Sequence, residues 1–372
     1  MKRVLEVTGS YNGVTGHDNH TRSIVRALHK LGVAIQLNDL WLWSSVKLAN
    51  GFRDPWFDTL QQSLDADAHL YFCMPHQVEP KAGQRTINYT MFEADRIPAE
   101  WVERAHRHDL IVVPVNSCRQ AWIDSGVEAG KVVVCPLGTD FSRFKPPPLR
   151  RGLILGGERR IKGSVFLNIA DAIERKNMLG LLRAWLTATK ASDDALLLCK
   201  TISVGPTAAE RIDSLMRSVE ISIGKSFREA AQVVVLQRPL LDDELLVLIQ
   251  SATHYISASR GEGFDLVMVE AAACGLECIA PRHTSYLDYL NDDIAHLIDV
   301  SKVEARLPDQ DQATQDLFAG ANWWQPDQDQ LCSTLRAIID GTAPPKKSAR
   351  EALSHLSWEQ TAQRLSQLIF DG

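Results

Sequence analysis

Arg260 to Gly275 reads RGEGFDLVMVEAAACG, a glycine-rich turn that runs directly into an alanine- and valine-rich helix. An apolar run, His254–Ser257, precedes it and another, Cys278–Pro281, follows; Gly275 is the expected stop of a helix over Leu266–Cys274. Strand, glycine turn, helix, strand is a βαβ unit, whose two strands lie parallel in one sheet. Ligands of such sheets bind beyond the carboxyl ends of the strands, so the turn is where chemistry is expected. Glu262 and Glu270 stand eight positions apart, one in the turn and one further along the helix. Both carboxylates can point towards the strand ends, where hydroxyl groups could be gripped. Between them, the N–H groups of Gly263, Phe264 and Asp265 open a helix N-terminus suited to an anionic or hydroxyl-rich ligand. A plainer description also fits, with Glu270 an acid on a helix face and Glu262 complementing the helix dipole.

The same rhythm extends in both directions. Strands are expected at Val165–Ile169, Leu196–Cys199, Val233–Leu236 and Ala295–Ile298, alternating with helices at Leu179–Lys190, Asp242–Ala252 and Pro326–Ile339. The first half offers strands at Val4–Thr8, Val33–Leu37, His69–Cys73, Ile87–Met91, Ile111–Val115 and Val132–Cys135. Ile24, Val25, Leu28 and Leu31 mark one face of a helix between the first two strands, and Gly32 ends it. Between the halves, FSRFKPPPLRRG (Phe141–Gly152) places three consecutive prolines where neither a helix interior nor a central strand can form, and it reads as a linker. The expected architecture is α/β, with two doubly wound domains over residues 1–148 and 149–354 facing a central cleft. A second proline pair, Pro344–Pro345, precedes a last amphipathic helix carrying Trp358, Leu365, Leu368 and Ile369 within residues 355–372, expected to pack back towards the first domain.

Composition sets the outer bounds. The 372 residues exceed the roughly 250–300 that one hydrophobic core serves. Hydrophobic residues at 45% and charged residues at 23% exclude a disordered chain. Forty Lys and Arg against 46 Asp and Glu leave a net charge of −6, which argues against bulk nucleic-acid binding. No apolar run approaches the ~18 residues of a membrane span, and MKRVLEVTG reads as a first strand rather than a signal peptide, so a cytoplasmic protein is expected. Seven scattered cysteines without a C-x-x-C pair read as reduced core residues.

After the first strand, GSYNGVTGHDNH (Gly9–His20) is a second glycine-rich turn opening a helix, where Gly16 lets a ligand approach the backbone. Its G-x3-G-x2-G spacing departs from the dinucleotide fingerprint, which disfavours NAD even though Asp39 ends the second strand. The strings DAD (Asp65–Asp67) and DQD (Asp309–Asp311, Asp327–Asp329) imitate a D-x-D metal clamp, but none follows a buried strand, and no metal or other cofactor is expected.

The arrangement E-x7-E inside S-R-G-E-G-F…E-A-x-A-C-G resembles the retaining glycosyltransferases of family 4, the glycosyl transferases group 1, which have the GT-B fold of two Rossmann-like domains. CPLGTD (Cys135–Asp140), ERKN (Glu174–Asn177) and NWWQPD (Asn322–Asp327) fall in the family's order. The resemblance implies transfer of a hexose from a nucleotide-sugar to an acceptor hydroxyl, on a glycan, a lipid-linked carrier or another molecule. It implies that Glu270 binds the ribose hydroxyls and that Glu262 contacts the donor hexose near its reacting carbon. Lys176 with Arg175 would neutralise the departing diphosphate. Oxocarbenium-like sugar and leaving diphosphate develop together, so preorganised cations lower the barrier.

The chain departs from the family's pattern at NIAD (Asn168–Asp171), just after the strand, where many members have Gly-Arg with that arginine on a phosphate, so that Arg175 would supply the second cation, and at Asp265, where they commonly have glycine. An acid at 265 could bond a hexose hydroxyl. On the acceptor side, His76 in MPHQVEP and Glu93 in YTMFEADRIP resemble the family's histidine and acid. WLWSSVKLANGFRDPWF (Trp41–Phe57), with Trp43, suits stacking on sugar rings or contact with a membrane surface, although its rings also suit the core. Two rivals share parts of the fold: a sugar-nucleotide epimerase, which is an isomerase, and a dehydrogenase.

Overall fold

The computed structural model describes residues 3–40, 43, 54–149, 153–155, 159–201, 206–308 and 310–371. Two compact units make up the chain: Met1–Asp140 with Pro308–Asn322 and His355–Gly372, and Phe141–Leu307 with Trp323–Ser354.

The first unit begins β1 (Val4–Gly9), α1 (Gly16–Lys30), β2 (Ala34–Asp39), β3 (Ala68–Phe72), β4 (Arg85–Tyr89), α2 (Ala99–Ala105), β5 (Leu110–Val113), α3 (Asn116–Asp124) and β6 (Val132–Val134). The strands form one sheet in the order β2-β1-β3-β4-β5-β6, parallel throughout. Leu5, Val7, Leu70 and Ile111 are fully buried in it, and Ile24, Val25 and Leu28 of α1 are buried likewise. The turn from β1 into α1 is closed by its own side chains. Buried Asp18 accepts from the N–H groups of Gly13 (2.9 Å) and Thr15 (3.1 Å), and Arg22 donates to the carbonyls of Tyr11 (2.8 Å) and Gly13 (2.7 Å).

The second unit runs β7 (Leu153–Leu155), β8 (Arg159–Ile161), β9 (Ser164–Ile169), α4 (Met178–Ala188), β10 (Ala195–Thr201), α5 (Pro206–Ile223), β11 (Gln232–Gln237), α6 (Asp242–Ser251), β12 (His254–Ile256), α7 (Leu266–Ala273), β13 (Glu277–Pro281), α8 (Thr284–Tyr289), β14 (Ala295–Ile298) and β15 (Val300–Glu304). After the excursion containing α9 (Gln312–Leu317), it resumes with β16 (Asn322–Pro326), α10 (Gln328–Ile339) and α11 (Ala349–Ala352), and the chain ends in α12 (Trp358–Phe370). Its main sheet has the order β11-β10-β9-β12-β13-β14, parallel throughout. One face of this sheet, through Phe166, Leu197, Cys199 and Ile256, packs on Trp185 and Leu181 of α4, Ile212 of α5 and Leu335 of α10. Trp185 fixes the fit by donating its indole N–H to the carbonyl of Ala231 at 2.9 Å.

The expected strands are present with shifts of one or two residues at their ends. The expected set leaves out α2, α3, α8, α9, α11, β15 and β16. Helix α5 and the antiparallel hairpin β7–β8 were not foreseen. Residues 308–322, assigned by sequence to the second domain, group with the first unit, because Phe318 stacks on Phe92 at 4.6 Å and Asp95 accepts from the backbone N–H of Asn322 at 2.7 Å. Helix α12 lies in the first unit, where Arg85 donates to the carbonyl of Ile369 at 2.8 Å and Trp358 stacks on His20. The glycine of CPLGTD serves that junction: a Cβ on Gly138 would lie 2.3 Å from the backbone of Ser357, so only glycine lets the two segments meet.

Candidate functional site

The chemistry-bearing side chains of the second unit collect on the loops after β9 and β12. After β9, residues 174–176 form a single tight turn and Asn177 takes the left-handed conformation (φ 53°). Asn177 caps α4 through Gly180 N–H (3.2 Å) and donates to the carbonyl of Ala258 at 3.0 Å, so it ties this loop to the one after β12. Arg260 makes the second tie: it donates to the carbonyl of Glu174 (2.7 Å) and to Gln325 (2.6 Å) and pairs with the Glu174 carboxylate. The ERKN and NWWQPD strings are thus joined through one arginine.

Glu262 sits between the loops, 5% exposed. Its carboxylate accepts from Lys176 Nζ at 2.6 Å and from Arg175 at 3.3 Å, while the same Arg175 nitrogen donates to the carbonyl of Gly261 at 2.7 Å. Burial alone would raise the Glu262 pKa, but the two cations outweigh it and hold the carboxyl down at about 2. The sequence placed Lys176 and Arg175 against a diphosphate; in the free protein Glu262 is their partner.

Asp265 is the N-cap of α7 in the left-handed conformation (φ 61°), and its side chain accepts from Met268 N–H at 3.3 Å. It therefore occupies part of the helix N-terminus that the sequence offered to a ligand. The Tyr286 hydroxyl reaches its other oxygen at 2.8 Å, and Tyr255 approaches at 3.4 Å. Burial, then the charge of Glu262, pushes its pKa up to about 6. Phe264 is buried and its carbonyl accepts from the Tyr289 hydroxyl at 2.6 Å, which fixes the backbone beside Gly263. Glu270 lies in the second turn of α7 and is 1% exposed. Below the turn, buried His283 contacts the Ser259 carbonyl at 2.7 Å and stacks on Trp324; burial lowers its pKa to about 4.

In the first unit, Gly16 is the first residue of α1, and a Cβ there would meet nothing within 4 Å, so packing does not demand glycine. His76 is exposed, its ring 6.3 Å from that of Trp101. Glu93 is half-buried, and Arg96 pairs with Asp95, at 4.0 Å. Trp43 is half-buried, packs against the cluster of Tyr71, Cys73 and Val78, and meets His17 edge-on at 5.1 Å. Residues 41–42 and 44–53 of the aromatic segment lie outside the described residues. Among the described residues no group of three His, Cys, Asp or Glu side chains could hold a metal ion, and no helix is long and apolar enough to cross a membrane. Sequence reasoning missed Arg260, Tyr255, Tyr286 and His283, whose partners lie far along the chain or in backbone.

Residues 163–306 match the family model of the glycosyl transferases group 1. No curated protein matches the chain. Among solved structures, sucrose-phosphate synthase from Thermosynechococcus elongatus is similar at 15% identity over 98% of both chains, with a TM-score of 0.68. HepE from Anabaena, in complex with UDP and glucose, is similar at 13% identity over 100% of both chains, with a TM-score of 0.64. The lipopolysaccharide outer core galactosyltransferase WaaB matches at 13% identity over 99% of both chains, with a TM-score of 0.58. The chain has the GT-B fold of two Rossmann-like domains, and its second unit carries the match to the glycosyl transferases group 1.

Proposed function

We propose that the protein is a retaining glycosyltransferase of family 4 that moves a hexose from a nucleotide-sugar to an acceptor hydroxyl in the building of a glycan or glycoconjugate. The observation that carries this reading is the pairing of buried Glu262 with half-buried Lys176 at the strand ends, with Glu270 buried one helix segment further on. The family match over the same residues supports a transferase, and a neighbour of the same fold was solved with UDP-glucose.

In this reading Glu270 accepts from the ribose hydroxyls, the backbone at Gly263 and Phe264 faces the diphosphate, and Gly16 is a further donor-binding residue. Glu262 lies beside the reacting carbon and holds Lys176 in place until the phosphate arrives. As the glycosyl–oxygen bond breaks, charge grows on the leaving diphosphate, and Lys176 with Arg175 meets it more strongly than in the ground state, which lowers the barrier. No metal is needed for that charge. His76, Glu93 and Trp43 belong to the acceptor side, and the aromatic segment gives a cytoplasmic protein a point of peripheral contact with a membrane-borne acceptor.

A melting-temperature panel of UDP, GDP, ADP, CDP and dTDP tests the donor; a ligand at 100 times its dissociation constant adds about 2.7 kcal/mol of stability. Glu270→Gln should weaken the stabilising diphosphate roughly ten- to hundredfold, and unchanged affinity removes Glu270 from the ribose. The product's anomeric proton should show the donor's configuration, in the presence of EDTA as well as without it. An inverted linkage overturns the reading.

A further inference from the structure

We infer that Lys200, at the carboxyl end of β10, is a phosphate-binding residue of the donor site, reaching an anionic oxygen of the nucleoside diphosphate from beneath it. The inference rests on reading the second unit as a donor-nucleotide site and adds a residue to it.

Other cations stand at these strand ends. Lys176 and Arg175 share Glu262, Arg260 is paired with Glu174, and Arg238 is paired with Glu244 at 2.9 Å. Lys200 differs. It is 3% exposed, yet among the described residues its ammonium makes no hydrogen bond and no ion pair. The charges acting on it are of opposite sign, the carboxylate of Asp171 and the guanidinium of Arg238. Asp171 is itself engaged by the Thr201 hydroxyl at 2.9 Å. The stem of Lys200 is buried and its ammonium is not among the fully buried polar atoms, so the charge is open to solvent and to an anionic ligand. Burial lowers its pKa to about 8.

Placement supplies the ligand. Ala195, Leu197 and Cys199 belong to the core under α4 and α5, so strand alternation turns Leu198 and Lys200 to the opposite face. That is the face of Tyr255, whose neighbour Leu167 on β9 pairs in turn with Leu198 on β10. Tyr255 approaches Asp265 at the start of α7. Lys200 is thus two strands, roughly 10 Å, from β12, one step nearer the carboxyl edge than the Tyr255 row. It pairs with Ile169, immediately before Ala170–Asp171. The spare cation stands one strand from the NIAD loop, where the chain lacks the Gly-Arg of the family it resembles.

Lys200→Met keeps the length of the side chain and removes the charge. Calorimetry of wild type and variant with UDP, GDP and ADP, and with the corresponding nucleosides, reads the effect. Whichever diphosphate binds the wild type should bind Lys200→Met about ten- to hundredfold more weakly, with nucleoside affinity unchanged and Lys200→Arg recovering most of the loss. The free variant should melt at the same temperature as wild type or higher, since no hydrogen bond or ion pair of the ammonium with the described residues is lost. Equal diphosphate affinity in the variant overturns the inference and leaves the donor reading standing. A variant that melts lower or fails to fold overturns it too, because Lys200 would then be structural. If none of the three diphosphates binds the wild type, the donor reading itself falls.

Discussion

Lys176 has two duties at the residue scale, and they can be separated. In the free protein it neutralises Glu262, which is buried and would otherwise keep only Arg175. Breaking such a pair from one side costs about 3–5 kcal/mol. Lys176→Ala should therefore lower the melting temperature and also slow transfer by about two to three decades, the rate equivalent of 2–4 kcal/mol. Adding Glu262→Gln should restore the melting temperature without restoring kcat; recovery of both would assign Lys176 a structural role alone. Asp265 gives a second test, in which the sign matters. Its folded pKa of about 6 lies above the ordinary 3.8, so the native state holds the extra proton between these values and stability falls as pH rises through that window. Asp265→Asn, which keeps an acceptor for Tyr286, should flatten this part of the stability profile; an unchanged slope between pH 4 and 6 would mean that Asp265 titrates normally. These residues were unequally legible. Glu262, Glu270 and the Arg175–Lys176 pair announce themselves because they lie in short contiguous strings. Arg260–Glu174 and Tyr286–Asp265 are contacts between distant positions, and Lys200 is hidden inside the strand ALLLCKT, where apolar neighbours mark only burial.

At the scale of elements, the loop after β9 is held in shape by its last residue. Asn177 sits at φ 53°, caps α4 and bonds the carbonyl of Ala258, so it fixes the path of Arg175 and Lys176 just before it. Replacing it with alanine removes the cap, worth about 0.5–2 kcal/mol, and puts an unfavourable residue in the left-handed region. Asn177→Ala should destabilise the protein by about 1–3 kcal/mol and lower kcat, whereas Asn177→Gly, free of the backbone penalty, should recover part of the stability. Equal melting temperatures for the two variants would show that the left-handed turn carries no strain. Elements with strong local signals were readable: apolar runs bounded by turns became β1, β9 and β13, and Gly32 and Gly275 stand just past the ends of α1 and α7. Helix α5 was not among the expected elements although Ile212, Leu215, Met216, Val219 and Ile223 recur at helical spacing. The hairpin β7–β8 has three-residue strands, too short for an alternating pattern to register.

Over the whole molecule, the two units are interleaved in sequence, and this was the least legible property, because unit membership depends on which distant segment each helix meets. Pro308–Asn322 and His355–Gly372 return to the first unit after the second has been built. A chain stopped at residue 354 would thus lose a part of the first unit. Leu365 is fully buried, Ile369 is 3% and Leu356 5% exposed. Thr139 N–H donates to the carbonyl of Leu356 at 2.9 Å, and Arg3 donates to Ser366 at 3.1 Å and to Asp371 at 3.0 Å. At about 1.5–3 kcal/mol for each fully buried aliphatic side chain, three such residues contribute roughly 5–9 kcal/mol. That is of the order of a domain's whole stability of about 5–15 kcal/mol. Truncation after Ser354 should therefore unfold the first unit while leaving the second, whose residues all precede the cut, able to bind the donor nucleotide. Hydrogen exchange would read the loss of protection in β1 to β6, and calorimetry the retained affinity. Full protection of those strands in the truncated chain would show that α12 rests on the first unit without stabilising it.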